Sequence, residues 1–363
     1  MSYDRATGRL QGASAMERCA ALAFAAGARC SAPMHYRGFS IGARAIMSVL
    51  DQREIVVMLN DDAPFAFPFG DGYWSLLLDR SFVYEGEIEQ FLKSVADVDY
   101  VFVDGGANFG FWSVLASSRP FGSHPVIAIE ASTRNAAKLT RNAELNNSRF
   151  KILHRAIGAT TGNKVWLGGA KHEAFRVEEA NGGGAGESVE MVSLDGLLEQ
   201  GVVAAGQRLV IKLDVEGMEI DAAKGGKRLL GGETVLILED HGADRAHTVS
   251  RYLLNEAGCR LFIFDEASQR YEAINEISML DRIKTSANFG YNVFATGPDG
   301  TGKRDTVETR LRAHARARPA PPDVVFLFNF EEPAKPLCAH LPPGHGRRLA
   351  RSNGSTTSAR RRW

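Results

Sequence analysis

Tyr100-Val-Phe-Val-Asp104-Gly-Gly-Ala-Asn-Phe-Gly110 is the stretch on which the fold turns. A continuous apolar run reads as a strand covered on both faces, the pattern of a parallel sheet. The glycines end it in a turn, and Gly110 to Ser117 starts a helix. The same unit then repeats. Pro125-Val-Ile-Ala-Ile-Glu130 is a second strand, followed by a helix over Thr133–Asn146 with Ala136, Leu139, Ala143 and Leu145 near one stripe. Phe150-Lys-Ile-Leu-His-Arg-Ala-Ile is a third strand. Residues 164–193 break the rhythm with Val165-Trp-Leu, the glycine-rich Asn181–Gly186 and Ser188-Val-Glu-Met-Val, a hairpin-like excursion.

The rhythm resumes at Arg208-Leu-Val-Ile-Lys-Leu-Asp214. A helix over Met218–Leu230 ends at Gly231-Gly232. A fifth strand, Thr234-Val-Leu-Ile-Leu-Glu239, precedes a helix over Ala246–Ala257 ended by Gly258. Cys259–Phe264 and Tyr291–Ala295 close the block without a full helix between them. Strand–helix repetition predicts an α/β fold, a doubly wound Rossmann-like sheet with an antiparallel edge hairpin.

The predicted domain occupies residues 99–298. Before it, 41–98 reads as a lead-in, with strands at Glu54–Leu59 and Trp74–Leu78 and a helix at Glu87–Val95. Residues 1–40 read as an extension, partly disordered, with a short helix. Its run Cys19–Ala28 resembles a signal-peptide core only if Met16 is the start, and Arg18 and Arg29 flank it on both sides.

Net charge is zero, but unevenly spread. Residues 301–363 hold 11 Arg and 2 Lys against 5 acids, so +8, which leaves 30 bases and 38 acids, −8, in residues 1–300. The tail, 299–363, reads as a basic Pro/Arg-rich segment and is expected to be disordered. The acidic body argues against nucleic acid as a partner. No apolar stretch is long enough to span a bilayer, so no membrane partner is expected. The 4 cysteines form no C-x-x-C pair, so neither a disulfide scaffold nor a zinc site is expected; a reducing cytoplasm is.

Ligands of such sheets sit beyond the carboxyl ends of the strands, where strand order reverses. Acids stand at those ends: Asp104, Glu130, Asp214 with Glu216, and Glu239. The first loop is D-x-G-x-x-x-G, not the G-x-G-x-x-G of dinucleotide sites. Asp104 would repel a phosphate and attract a cation. S-adenosylmethionine has no phosphate and carries an ammonium and a sulfonium. Gly106 permits a close backbone approach, and Glu130 is placed to accept ribose hydroxyl protons. Read otherwise, Gly105, Gly106 and Gly110 only make a tight turn and Asp104 caps the helix.

On the fourth strand, Lys212 and Asp214 share a face. A lysine in an apolar strand needs a carboxylate partner or a solvent exit, and Asp214 and Glu239 are the candidate partners. Asp214 and Glu216 are expected beside the transferable methyl, and His241 at the same rim is a second candidate base. No metal is required, although clustered carboxylates leave a Mg²⁺ site open.

These residues carry a resemblance. Phe102-Val-Asp-Gly-Gly-Ala-Asn-Phe-Gly-Phe-Trp-Ser, Ile127-Ala-Ile-Glu-Ala, Val192-Ser-Leu-Asp195 and Ile211-Lys-Leu-Asp-Val-Glu-Gly-Met-Glu-Ile resemble, in order, the motifs of the FkbM family of S-adenosylmethionine-dependent methyltransferases. Two departures are Ala131 for the usual proline and Ser193 for threonine. The resemblance implies S-adenosylmethionine as cofactor, with Asp104, Gly105, Gly106, Asn108, Gly110 and Glu130 around it. It also implies O-methylation of a hydroxyl on a sugar or natural product, for which the strand-end reading offers Asp214, Glu216 and His241 as the catalytic set. An NAD-dependent oxidoreductase and a non-catalytic S-adenosylmethionine-binding protein are the alternatives.

Overall fold

A computed structural model describes residues 1–168, 176–178, 187–215, 217–287 and 290–297. The tail from 298, the glycine-rich 181–186 and Glu216 lie outside the described residues.

The chain opens with β1 (Ser2–Asp4), β2 (Arg9–Gln11), α1 (Ala15–Ser31), α2 (Phe39–Met47), β3 (Glu54–Met58) and β4 (Pro64–Pro68). Where the sequence predicts a partly disordered extension, Ser14 and Glu17 close a capping box on α1, which satisfies both otherwise orphaned N–H groups. β1 pairs with β3, so residues 1–40 and 41–98 share one sheet, ordered β2-β1-β3-β4. Trp74–Leu78, predicted as a strand, is a 3₁₀ helix. Its residues are all buried, and Asp71 Oδ1 accepts the Tyr73 and Trp74 N–H groups, which fixes the turn that starts it. α3 (Gly86–Ser94) follows.

The main block comprises β5 (Val101–Gly105), α4 (Phe111–Ala116), β6 (Val126–Glu130), α5 (Thr133–Leu145), β7 (Phe150–His154), β8 (Ala156–Ile157), β9 (Lys164–Gly168), β10 (Arg176–Glu178), β11 (Glu187–Val192), α6 (Leu194–Glu199) and β12 (Leu209–Leu213). It continues through α7 (Glu219–Lys224), α8 (Lys227–Leu230), β13 (Thr234–His241), α9 (Thr248–Asn255), β14 (Arg260–Asp265), β15 (Arg270–Ile274), α10 (Met279–Ile283) and β16 (Gly290–Thr296). The predicted helix 218–230 is thus two short ones. Gly225 and Gly226 interrupt it where the backbone crowds Gly158, Ser193 and Leu194.

The large sheet has the order β15-β14-β16-β13-β12-β5-β6-β7. From β13 to β7 all neighbours are parallel. The predicted antiparallel edge is present: β16 runs antiparallel between β13 and β14, and β15 folds back on β14. The excursion forms its own small sheet, β10-β9-β11-β8. Strand order reverses between β5 and β12, because the chain runs outward through β6 and β7 and returns on the other side of β5.

Strand alternation sorts the core into two layers. Val101, Val103, Ile211, Leu213, Leu236 and Leu238 pack on one face. Phe102, Val210, Ile237 and Phe294 face the other, in one cluster with Phe65 and Trp74 of the N-terminal region and Phe111 of α4. Trp74 stacks on Phe111 at 5.5 Å between centroids. Asp104, Lys212 and Asn292 lie in register with that second, aromatic-covered layer.

Candidate active site at the strand-order reversal

The loops after β5 and β12 touch. Asp214 donates its N–H to the Gly105 carbonyl at 3.0 Å. A Cβ on Gly106 would stand 1.8 Å from the Asp214 carbonyl oxygen, and Gly106 has φ +74°. Glycine is therefore demanded here by the neighbouring loop, quite apart from any ligand. Gly110, at φ +88°, opens α4 where a Cβ would strike Leu139, so its lack of a side chain serves helix packing.

The same loop is bonded to β6. Gly106 and Ala107 donate to the Ile129 carbonyl. Asn108, in the left-handed region at φ 53°, donates its N–H to Glu130 Oε2 at 2.7 Å. Ser132 donates to Glu130 Oε1 at 2.8 Å. Glu130 is buried, and burial pushes its carboxyl up to about 7 against the pull of these N–H groups. Each oxygen has accepted one backbone N–H and retains acceptor capacity.

Asp104 is buried, and Ser113 Oγ donates to it at 2.6 Å. Burial raises its carboxyl above the usual range, opposed by Lys212 and Ser113. Lys212 stands opposite Asp104 in the β12–β5 register. Its ammonium lies 3.2 Å from Asp214 Oδ2 and 3.8 Å from Glu85 Oε2. Burial works against that charge, but Asp214, Glu85 and Asp104 outweigh it and raise the lysine above its ordinary value. Asp214 is the more open partner, with its side chain 31% exposed against 4% for Lys212.

Glu85 is the residue that sequence reasoning missed. It sits at φ 45°, ψ 60°, a conformation that costs a non-glycine residue energy and persists only where surroundings enforce it. Trp112 Nε1 donates to its Oε2 at 2.6 Å and Asn292 Nδ2 to its Oε1 at 3.1 Å. Asn292 also donates to Glu87 Oε1 at 2.8 Å. Beside this knot Tyr73 and Tyr84 are half-buried, edge-to-face at 5.8 Å, with their hydroxyls hydrogen-bonded. Burial and the Glu85 charge raise both phenols, which stay protonated.

The structure thus brings Asp104, Gly105, Gly106, Asn108, Glu130 and Asp214 together. His241 is exposed, and its Nδ1 accepts the Ala243 N–H at 3.1 Å. Leu213 pairs with Leu238, which puts Asp214 level with Glu239 and leaves His241 two residues farther along β13. Glu216 lies outside the described residues.

Residues 104–261 match the family model described as the methyltransferase FkbM domain. Residues 323–352, outside the described residues, match that of the Lon-like LonC helical domain. No curated protein matches the chain. Among solved structures, the precorrin-6y C5,15-methyltransferase of Geobacter metallireducens is 14% identical, over 60% of this chain and 91% of that one, with a TM-score of 0.32. An S-adenosylmethionine-dependent O-methyltransferase from Thermotoga maritima is also 14% identical, over 61% and 68%, at 0.33. The human methyltransferase 10 domain containing protein is 9% identical, over 72% and 97%, at 0.36. The fold assignment rests on the strand order rather than on these likenesses. The match over residues 104–261 to the methyltransferase FkbM domain spans the first loop, the Glu130 strand end and the Lys212–Asp214 strand, and such a domain implies S-adenosylmethionine as methyl donor.

Proposed function

We propose that the protein methylates a hydroxyl oxygen on a sugar or natural-product-like small molecule. One observation carries the reading: a partly exposed carboxylate, Asp214, is fixed by Lys212 directly against the Gly105–Gly106 turn, at the reversal of strand order. S-adenosylmethionine, when bound, supplies an electrophilic methyl group. Glu130 would hold the ribose hydroxyls with its remaining lone pairs. Asp104 acts from beneath the loop, its charge favouring the ammonium, while Gly105, Gly106, Asn108 and Gly110 shape the turn around it.

An alcohol must lose its proton as the new bond forms. Asp214 takes that proton, with Lys212 holding its other oxygen in place. Glu216 keeps its sequence-based assignment beside the methyl, and His241 is the second base. Tyr73 and Tyr84, held protonated, offer hydroxyls and ring faces to a polyhydroxylated acceptor. The acidic first loop weighs against an NAD-dependent oxidoreductase. Cys19, Cys30 and Cys259 are free, which supports a cytoplasmic setting, and no helix among the described residues is long and apolar enough to cross a membrane.

Incubation with methyl-labelled donor and a panel of glycosides and polyketide alcohols tests the reading. It expects label in an alkali-stable methyl ether. Label in a base-labile ester or on nitrogen would overturn the hydroxyl assignment, and donor binding without transfer to any acceptor would favour a non-catalytic protein.

A further inference from the structure

We propose that the outward face of α1 and α2 is a docking surface for an anionic lipid membrane. Seven large hydrophobic residues are exposed among the described residues, and five of them fall in one short segment: Met16, Leu22, Met34, Ile41 and Val49. Leu22 and Val49 are the most open, at 72% and 71%. The same segment, 14–50, holds four arginines, Arg18, Arg29, Arg37 and Arg44, and a single acid, Glu17; Arg29 is ion-paired with the buried Asp79 at 2.8 Å, so the basic character rests on the other three. Glu17 is buried and neutralised by Arg53 at 2.9 Å. This patch is basic within a body whose residues 1–300 carry −8 (30 − 38).

Helical spacing gathers these side chains. α1 buries Ala20, Ala21, Phe24 and Ala28, which turns Arg18, Leu22 and Arg29 outward. α2 buries Phe39 and Ala43, which turns Ile41 and Arg44 outward. Phe24 meets Phe39 edge-on at 6.4 Å, and Phe39 also lies against Gly27, so the helices are side by side and their outward faces adjoin. Arg18 donates to the Ala13 and Leu10 carbonyls and Arg44 to Ser40, bonds that leave their charges uncancelled.

Charge complementarity selects the occupant. A second copy would bring arginine to arginine along these helices. A protein partner is commonly held by aromatic anchors, and the exposed large side chains in this segment are aliphatic or thioether. Aliphatic tips among arginines that can snorkel suit a headgroup layer, which attracts basic residues and admits short apolar side chains. The sequence excluded a membrane because no segment spans one; a helix pair lying on the surface needs no span. Methyl transfer beside a bilayer would bring the enzyme to amphiphilic acceptors.

Vesicle sedimentation with the full-length protein tests the proposal. Vesicles of phosphatidylcholine with phosphatidylserine should pull the protein down at least roughly tenfold better than phosphatidylcholine alone, an advantage that high salt removes. Both the Leu22→Glu/Ile41→Glu and the Arg18→Glu/Arg44→Glu variants should lose most of this binding while keeping the parental melting profile, since all four residues are exposed. Deletion of residues 301–363 should leave the advantage in place. Absence of vesicle binding, undiminished binding by the two double variants, or loss on tail deletion alone would each overturn the proposal. So would self-association that Leu22→Glu/Ile41→Glu abolishes in lipid-free solution.

Discussion

Asp214→Asn lowers turnover by roughly 10²–10⁴-fold at saturating donor, the usual size of a general-base contribution. Asn keeps the shape and still accepts the Lys212 hydrogen bond through its amide oxygen. Lys212 retains Glu85 at 3.8 Å, so stability changes little and donor affinity stays near parental. Steady-state kinetics, calorimetry and thermal melting on this one variant separate the effects. His241→Ala is the comparison: its side chain is exposed and stands beyond the level of Asp214, so it costs far less. Unchanged turnover per folded molecule in Asp214→Asn, with a large loss in His241→Ala, would move the base to the histidine.

The second large effect is on stability. Lys212→Met removes the cation shared by Asp214, Glu85 and buried Asp104. Leaving buried carboxylates without their partner costs about 3–5 kcal/mol, a fall in melting temperature of roughly 6 °C or more for a domain of this size. The loss should shrink as pH falls, because burial already raises Asp104 and protonation relieves the repulsion. Thermal melts across pH check both points. A variant as stable as the parent at neutral pH would show that the carboxylates do not depend on Lys212.

The sheet was legible because its strands obey simple rules. Residues 100–103, 126–129 and 235–238 are continuous apolar runs, as strands covered on both faces must be, and 209–213 is one broken only by Lys212. Their acidic ends named the site because a charge that closes such a run sits at the rim. Alternation placed Lys212 and Asp214 on one face and left Asp214 or Glu239 as the lysine's partner; the structure has Asp214, at 3.2 Å. Trp74–Leu78 shows the limit: an apolar run fits a strand or a buried 3₁₀ turn equally, and the Asp71 cap decided it. Glu85 was illegible for a different reason. Its partners are Trp112, Lys212 and Asn292, far away along the chain, and only the packing of α3 over the sheet brings them together. The ordered start of the chain had a local signal, Ser14 with Glu17, and a partner without one, since β1 lies in register with Val56–Met58.

Calorimetric titration of S-adenosylhomocysteine into the protein, repeated across pH with NAD as the control, tests the central claim most directly. In the proposed site the ribose hydroxyls would donate to an ionised Glu130, and this carboxyl is pushed up to about 7 from its ordinary 4.5 by burial. In the free protein Glu130 therefore holds a proton below that value. Affinity should be full well above pH 7 and fall as pH drops through 7, with proton release on binding in the lower range. Folding linkage has the matching sign: Glu130 costs stability as pH rises from 4.5 through 7, and ligand binding offsets that cost. Glu130→Gln should weaken binding by about 1.5–3 kcal/mol at pH 8 and flatten the pH dependence. Tight binding of NAD with no heat from S-adenosylhomocysteine at any pH would contradict the account.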